Sequence, residues 1–167
     1  MKLRHKIFAS SIGTLHLVAD ETYLHAVLFE DGWQAYQTKN EDILDGSNAV
    51  IKKTIQQLDE YFAGKRKSFD VSYALQGTEL QKRAWKSLLK VPYGQTSTYK
   101  KQATLAGSPE AVRAIGHMNG VNQLCIILPC HRIIGTNGNL TGYAGGLAAK
   151  KALLQLERNT LNMGVPH

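Results

Sequence analysis

The sequence predicts an α+β protein in which a strand-rich first part is followed by a helical second part. Three observations predict it. Short alternations of apolar and polar residues fill the stretch from Lys6 to Glu30, apolar residues at helical spacing dominate from Thr78 onward, and Gln76-Gly77-Thr78 breaks the pattern between them. The domains are therefore set at 1–76 and 77–160, with 161–167 as a loose tail.

In the first part, Leu15 and Leu17, then Leu24, Ala26 and Leu28, alternate with more polar residues, with the turn formers Gly13 and Asp20 between them. That is the pattern of an antiparallel meander. Val50, Ile51, Ile55, Leu58 and Phe62 repeat at helical spacing over residues 49–62, and Gly64 followed by Lys65, Arg66 and Lys67 closes one amphipathic helix. Phe69, Val71, Tyr73 and Leu75 alternate again and predict a further strand.

In the second part, Thr78 and Glu79 start a helix with Leu80, Ala84, Trp85, Leu88 and Leu89 on its apolar side, stopped by Pro92-Tyr93-Gly94. A second helix runs from about Thr98 to Leu105. Ala106-Gly107 follows, and Ser108-Pro109-Glu110 starts a third helix with a cap, a first-turn proline and an acid. Two helices joined by a glycine-bearing turn suggest helix-turn-helix. On the third helix Val112, Ile115 and Met118 or Asn119 face inward, whereas Arg113, Gly116, His117 and Gly120 share the other side. Two glycines cost a helix about 1 kcal/mol each relative to alanine, so either something approaches this backbone closely or Gly116 serves helix packing. The last helix spans about Ala148 to Arg158 and carries Glu157 inside its apolar arc, with Lys150 in the same arc. A carboxylate there should be paired or hydrogen-bonded: it pairs locally with Lys150, sits at a frayed helix end, or orients His131.

The bulk numbers narrow the class. The 167 residues hold 20 Lys plus Arg against 13 Asp plus Glu, a formal charge of +7 that favours a polyanionic partner. The two cysteines, Cys125 and Cys130, would lie roughly 16 Å apart in an extended segment, well beyond the about 7 Å that a disulfide spans. A reduced, cytoplasmic protein is expected. Lys2, Arg4 and Lys6 are followed by polar residues rather than a signal-peptide core, and no run of about 18 apolar residues suggests a membrane span.

Pro129-Cys130-His131-Arg132, directly after the apolar run Leu124 to Leu128, narrows the chemistry most. A free thiol with a pKa of about 8.5 is weakly nucleophilic at pH 7 until a base or positive charge activates it, and His131 and Arg132 offer both. Read alone, Cys130 could equally be a small apolar residue ending a buried strand.

These features together resemble the O6-alkylguanine-DNA alkyltransferase family, over about Gly77 to Glu157. The resemblance rests on Gly77-Thr78, Trp85, Pro92-Tyr93-Gly94, Tyr99, Arg113-Ala114-Ile115-Gly116, Asn119, Asn122, Pro129-Cys130-His131-Arg132, Gly142-Tyr143 and Gly145-Gly146-Leu147. It implies an RNase H-like first domain with an antiparallel sheet and a helix, and a second domain with a winged helix-turn-helix. The implied activity is irreversible, single-turnover transfer of an alkyl group to Cys130 from O6-alkylguanine in double-stranded DNA, with O4-alkylthymine as a second candidate substrate. The nucleotide is flipped out from the minor groove.

By the same resemblance His131 accepts the thiol proton through water, Glu157 orients the imidazole, and Asn122 braces the active-site segment. Tyr99 binds the base and crowds the neighbouring phosphate, the backbone of Ala144 donates to O6, the carbonyls of Cys130 and Ile133 accept the exocyclic amine, and Tyr143 walls the alkyl pocket. Arg113 fills the vacated space in the stack, and Gly116, Asn119 and Arg132 are expected at the DNA. Met118 and Gln123 depart from the alanine and proline common in relatives. The chain is expected to act as a monomer without a cofactor. His5, His16 and His25 make a poor tetrahedral set, and no metal is expected. Two competing readings are a module that binds alkylated DNA without chemistry and a Cys-His hydrolase.

Overall fold

The computed structural model describes residues 2–40 and 42–163, which fall into two compact units. One comprises the chain up to Leu75 together with Gln123–Ile127. The other comprises Gln76–Asn122 and the chain from Leu128 onward.

The first unit is built on the predicted meander. Strands β1 (Leu3–Ser10), β2 (Gly13–Ala19) and β3 (Leu24–Leu28) pair antiparallel, and β4 (Ile43–Asp45) adds in parallel to β1, giving the order β3-β2-β1-β4. Gly13 sits in the β1–β2 turn at φ +120°, a conformation that favours glycine. The strands differ from simple one-sided alternation. Leu15 to Ala19 and Leu24 to Leu28 are buried on both faces, so His16 and His25 are buried as well. His25 is satisfied by Asp20 at 2.6 Å, and the same carboxylate caps the turn by accepting from the backbone of Thr22 and Tyr23.

Helix α1 (Glu30–Lys39) and strand β4 lie between the predicted elements. Both were illegible for the same reason: α1 buries only Trp33 and Tyr36, and β4 has three residues, so neither carries a periodic signal. Trp33 and Tyr36 join Val18, Ala26 and Leu28 in a core cluster. Helix α2 (Ala49–Phe62) has the predicted bounds and is capped by Asn48, whose Oδ1 accepts from Ile51 N at 2.9 Å.

The strand expected over Phe69 to Leu75 is reduced to a single bridge between Leu24 and Tyr73. The reason is local. Gln57 of α2 takes both backbone groups of Asp70, donating to its carbonyl at 3.1 Å and accepting from its N–H at 2.8 Å, in place of a strand partner. Gln123–Ile127 pairs with β3 through Val27, with N–H to Gln123 O at 2.8 Å and O from Cys125 N at 3.0 Å.

The second unit is helical, as expected. Helix α3 (Glu79–Ser87) opens on a capping box made by Thr78 and Gln81. Its continuation over Leu88–Lys90 tightens to a 3-10 turn, which rotates Leu89 outward to 53% exposure instead of placing it in the core. Strand β5 (Ser97–Thr98) leads into helix α4 (Tyr99–Leu105). The helix-turn-helix follows. Gly107, at φ +81°, ends α4, and Ser108 to Ala111 forms a turn closed by Ala111 N to Ser108 O at 2.9 Å. Helix α5 (Val112–Gly120) therefore starts after Ser108-Pro109-Glu110 and not within it. Arg83 holds that turn, donating to Ala106 O at 3.0 Å and to Ser108 Oγ at 3.4 Å. Ala84, Ala103, Ala106 and Ile115 form the core of the three helices. Strand β6 (Ile133–Ile134) pairs with β5 in parallel. Helix α6 (Leu147–Met163) runs beyond the expected end at Arg158, so residues 161–163 are helix and not tail. The remainder of the expected tail, 164–167, lies outside the described residues.

Candidate active site

The site is built around the Cys130–Arg132 3-10 turn of the second unit. Pro129 precedes it at φ −81°, ψ 66°, and Cys130 N donates to Leu128 O at 2.8 Å, an inverse γ-turn that fixes where the thiol emerges. Asn122 braces this bend from the end of α5. Its Nδ2 donates to Leu128 O at 2.9 Å and to Cys130 Sγ at 3.3 Å. Cys130 keeps 4% of its surface exposed.

His131 is fully buried and meets Glu157 Oε2 of α6 at 2.6 Å through Nε2, while its Nδ1 has no hydrogen-bond partner among the described residues. Arg132 is buried too. Its Nε and Nη2 grip the two oxygens of Glu157 at 2.8 and 3.0 Å, and Nη1 donates to Val91 O at 2.9 Å. The Pro92-Tyr93-Gly94 stop completes this cage: the Tyr93 ring lies 5.5 Å under the guanidinium, and Gly94 N donates to Glu157 Oε1 at 3.2 Å. Glu157 is thus paired with His131 and Arg132, and Lys150 is not its partner.

The electrostatics follow from that cage. Burial alone would raise the Glu157 carboxyl, but hydrogen bonds from His131 and Arg132, and their charge, pull it down to about 2. Burial pushes His131 below the ordinary imidazole value, helped by the charges of Arg132 and Lys150 and opposed by Glu157. A neutral His131 beside an ionised Glu157 must carry its proton on Nε2, which leaves the lone pair on Nδ1.

A groove of about 850 Å³ runs along the exposed side of α5, lined by Tyr99, Arg113, Gly116, His117, Tyr143 and Ala144 among others. Arg113 and Ala144 are exposed at its edge. A side chain at Gly116 would meet Tyr99 only at an ordinary 3.5 Å, and one at Gly120 would meet nothing, so these glycines keep the groove face bare and serve no tight packing. Tyr99 is positioned by its hydroxyl, which pairs with Thr141 Oγ1 at 2.5 Å.

Two of the residues expected at the DNA are placed elsewhere. Arg132 is turned inward to Glu157 and Val91, because a buried carboxylate needs a cation more than the surface does. Asn119 is buried and exchanges two amide hydrogen bonds with Gln102 of α4, at 2.8 and 2.7 Å, locking α4 to α5. Lys150, which the sequence singled out only as a neighbour of Glu157, is 1% exposed and donates to Ile133 O at 2.5 Å and Thr141 O at 3.1 Å. Burial lowers its pKa, and the charge of Cys130 opposes that shift. The Ile133 carbonyl, expected to accept from the base, therefore already accepts from Lys150. A polar residue in an apolar arc was the signal for Lys150. No group of three or more His, Cys, Asp or Glu placed to hold a metal occurs among the described residues, and no described helix is long and apolar enough to cross a membrane.

Comparison with known proteins assigns the lineage. Residues 3–75 match the ribonuclease-like domain of 6-O-methylguanine DNA methyltransferase, and residues 79–159 match its DNA binding domain. A methylated-DNA--protein-cysteine methyltransferase of Methanosarcina acetivorans is 44% identical over 153 residues, covering 92% of this chain and 97% of that protein. One from Mycobacterium bovis is 51% identical over 105 residues, 63% of this chain and 64% of that protein. The fold superposes on the crystal structure of Mycobacterium tuberculosis OGT in complex with DNA with a TM-score of 0.85 at 39% identity, covering 96% of this chain and 94% of that one. With both domain patterns in order and a full-length relative this similar, the chain belongs to the 6-O-methylguanine DNA methyltransferase family.

Proposed function

We propose that this protein repairs DNA by moving the alkyl group of O6-alkylguanine onto Cys130, once per molecule. The observation that carries the assignment of residues is the unpartnered Nδ1 of His131 beside a braced thiol, with the opposite ring nitrogen tied to Glu157. Nδ1 is the ring atom that can take the thiol proton, directly or through a water. Sγ then attacks the carbon on O6 and forms the C–S bond as the C–O bond breaks, and the electron pair leaves with the guanine. The imidazolium created is held by the ionised Glu157, and Arg132 keeps that carboxylate charged and oriented. The neutral thioether formed is a poor alkyl donor, so the transfer is irreversible, and displacement by the thiolate calls for no cofactor.

The reacting carbon is stacked inside duplex DNA and must be swung out. The bare face of α5, with Arg113 at its edge, supports entry of this helix into the minor groove, with Arg113 taking the place of the lost base. Tyr99, Tyr143 and the backbone of Ala144 line the same groove, which supports their assignment to the extruded base. The acceptor, its base and the orienting carboxylate all lie within the second unit, so a single copy would suffice for the reaction. The cytoplasm, where thiols stay reduced, suits a reaction that consumes one.

Incubation with duplex DNA carrying O6-methylguanine tests this. Mass spectrometry should find one methyl group per protein, on Cys130, and the lesion restored to guanine. An unmodified Cys130 after exposure to excess lesion sinks the proposal. A parallel substrate with O4-methylthymine reads whether the same site takes the pyrimidine.

A further inference from the structure

Away from this site, the first unit holds an unbroken line of hydrogen bonds through two histidines. Asp45 Oδ1 of β4 meets His5 Nδ1 of β1 at 3.3 Å, His5 Nε2 meets His16 Nδ1 of β2 at 2.8 Å, and His16 Nε2 meets Glu30 Oε2 at the start of α1. The rings are nearly coplanar and stack on Trp33, with centroids 3.9 Å away for His5 and 5.0 Å for His16. The imidazoles are largely buried, whereas the Asp45 and Glu30 side chains are 97% and 59% exposed.

Counting protons along this line decides its charge. Each link needs one proton between its two heavy atoms, and an ionised carboxylate brings none. The three links therefore need three N–H groups on two rings, and two neutral imidazoles supply only two. We infer that His5 and His16 together bind one extra proton as a shared imidazolium, and that this proton fastens edge strand β4 and the start of α1 to the β1–β2 hairpin.

The surroundings agree with a single cation. The charged groups acting on His5 are His16, Asp45 and Glu30; burial, the largest influence, pushes its pKa down, and His16 is the ring whose Nε2 is set against Glu30. Helix α1 adds the neutral Trp33, whose ring face favours a stacked cation, and Gln34, which donates to Glu30 at 3.1 Å. Opposite His16, β3 contributes the apolar Leu28. A cavity of about 200 Å³ beside His5 is lined by Gln37, Asn40 and Ile43 together with Trp33 and Asp45.

The arrangement makes the lock sensitive to pH in both directions. A fourth proton would point two N–H groups at each other and break the central link. Loss of the third would set a bare ring nitrogen against a carboxylate, and the long Asp45 link is the one that gives way. The line is intact only between two titration steps, which belong to the pair and not to either ring.

The test is long-range ¹H–¹⁵N spectroscopy of the imidazoles in the whole protein across pH. The expected plateau has three of the four ring nitrogens protonated, with His5 in its Nδ1–H form. Amide exchange in β4 should quicken both above and below that plateau. Glu30→Gln supplies its own N–H, so the line closes with two ring protons, and the variant should keep its fold while binding one proton fewer. Asp45→Asn gives the same count from the other, more exposed end, and decides the matter if the first variant does not fold. Two protonated nitrogens in the wild type throughout the neutral range, or three retained in either folded variant, would overturn the inference.

Discussion

Each unit contains a histidine bonded to a glutamate, and the two clusters differ in what the far side of the ring is given. In the first unit the second nitrogen of His16 is taken by His5, whose own second nitrogen is taken by Asp45. In the second unit the second nitrogen of His131 has no hydrogen-bond partner among the described residues, and the adjacent residue is Cys130. The carboxylates differ as well: Glu30 is open to water, whereas Glu157 is sealed and gripped by Arg132. An imidazole with both ends engaged is a fastener, and one with an idle lone pair is a base. The difference between the two clusters is one unengaged lone pair, on His131 Nδ1.

The comparison is broken most severely by removing the group the idle nitrogen serves. Cys130→Ala should abolish alkyl transfer, read by lesion repair, while duplex binding measured by titration stays within about twofold of wild type. Next in size is Glu157→Gln, which makes the second cluster resemble one that lacks its anion. The single-turnover rate should fall by about 100-fold or more, as when the orienting carboxylate of a nucleophile-base pair is lost. Because Arg132 is then left buried without its counter-charge, denaturant unfolding should show a loss of about 3–5 kcal/mol.

Acid sharpens the same contrast. The Glu157 carboxyl is lowered from 4.5 to about 2 on folding, so its stabilisation is complete above the unfolded value and is lost as pH falls toward the folded one. That amounts to about 3 kcal/mol across the window. His131, also lowered, adds to the loss in the same direction, beginning near the ordinary imidazole value of about 6.5. Unfolding free energies measured from pH 7 downward should show both, and Glu157→Gln should remove the lower step. A slope unchanged in that variant would mean that the cage around Glu157 is not ionic.

Smaller effects belong to the groove. Arg113→Ala should slow repair of duplex lesions by about tenfold, the scale of a lost stacking partner worth about 1–3 kcal/mol, yet leave reaction with the free alkylated base unchanged. Gly116→Ala should change stability by less than about 1 kcal/mol, in the stabilising direction, since alanine is the better helix former and meets Tyr99 only at 3.5 Å. Any loss of duplex affinity in that variant then reports the groove face alone.

Much of this was written plainly in the chain. The meander, α2 and the helix-turn-helix follow from spacing, and Glu157 announced itself as a carboxylate in an apolar arc. What the sequence withheld are identities of partners. The same wheel that placed Glu157 inward could not say whether Lys150 or Arg132 would meet it, because Arg132 arrives from a 3-10 turn with no periodicity of its own. Asn119 was one of two candidates for the inward position, and only the Gln102 amide across from it decides that it is structural. Helix α1 and β4 stayed hidden because α1 buries only Trp33 and Tyr36 and β4 is three residues long, too little for a repeating face.

The nearly side-chain-free flank of α5 has a consequence for how damage is found. On the proposed reading, the bare stretch at Gly116 and Gly120, flanked by Arg113 and His117, would offer few groups with which to tell one base pair from another, so most stretches of duplex would be met with similar affinity. A protein that used this face on DNA would then pass along a genome with little detention at favoured addresses, and discrimination would fall mainly on whatever can be coaxed out of the helix.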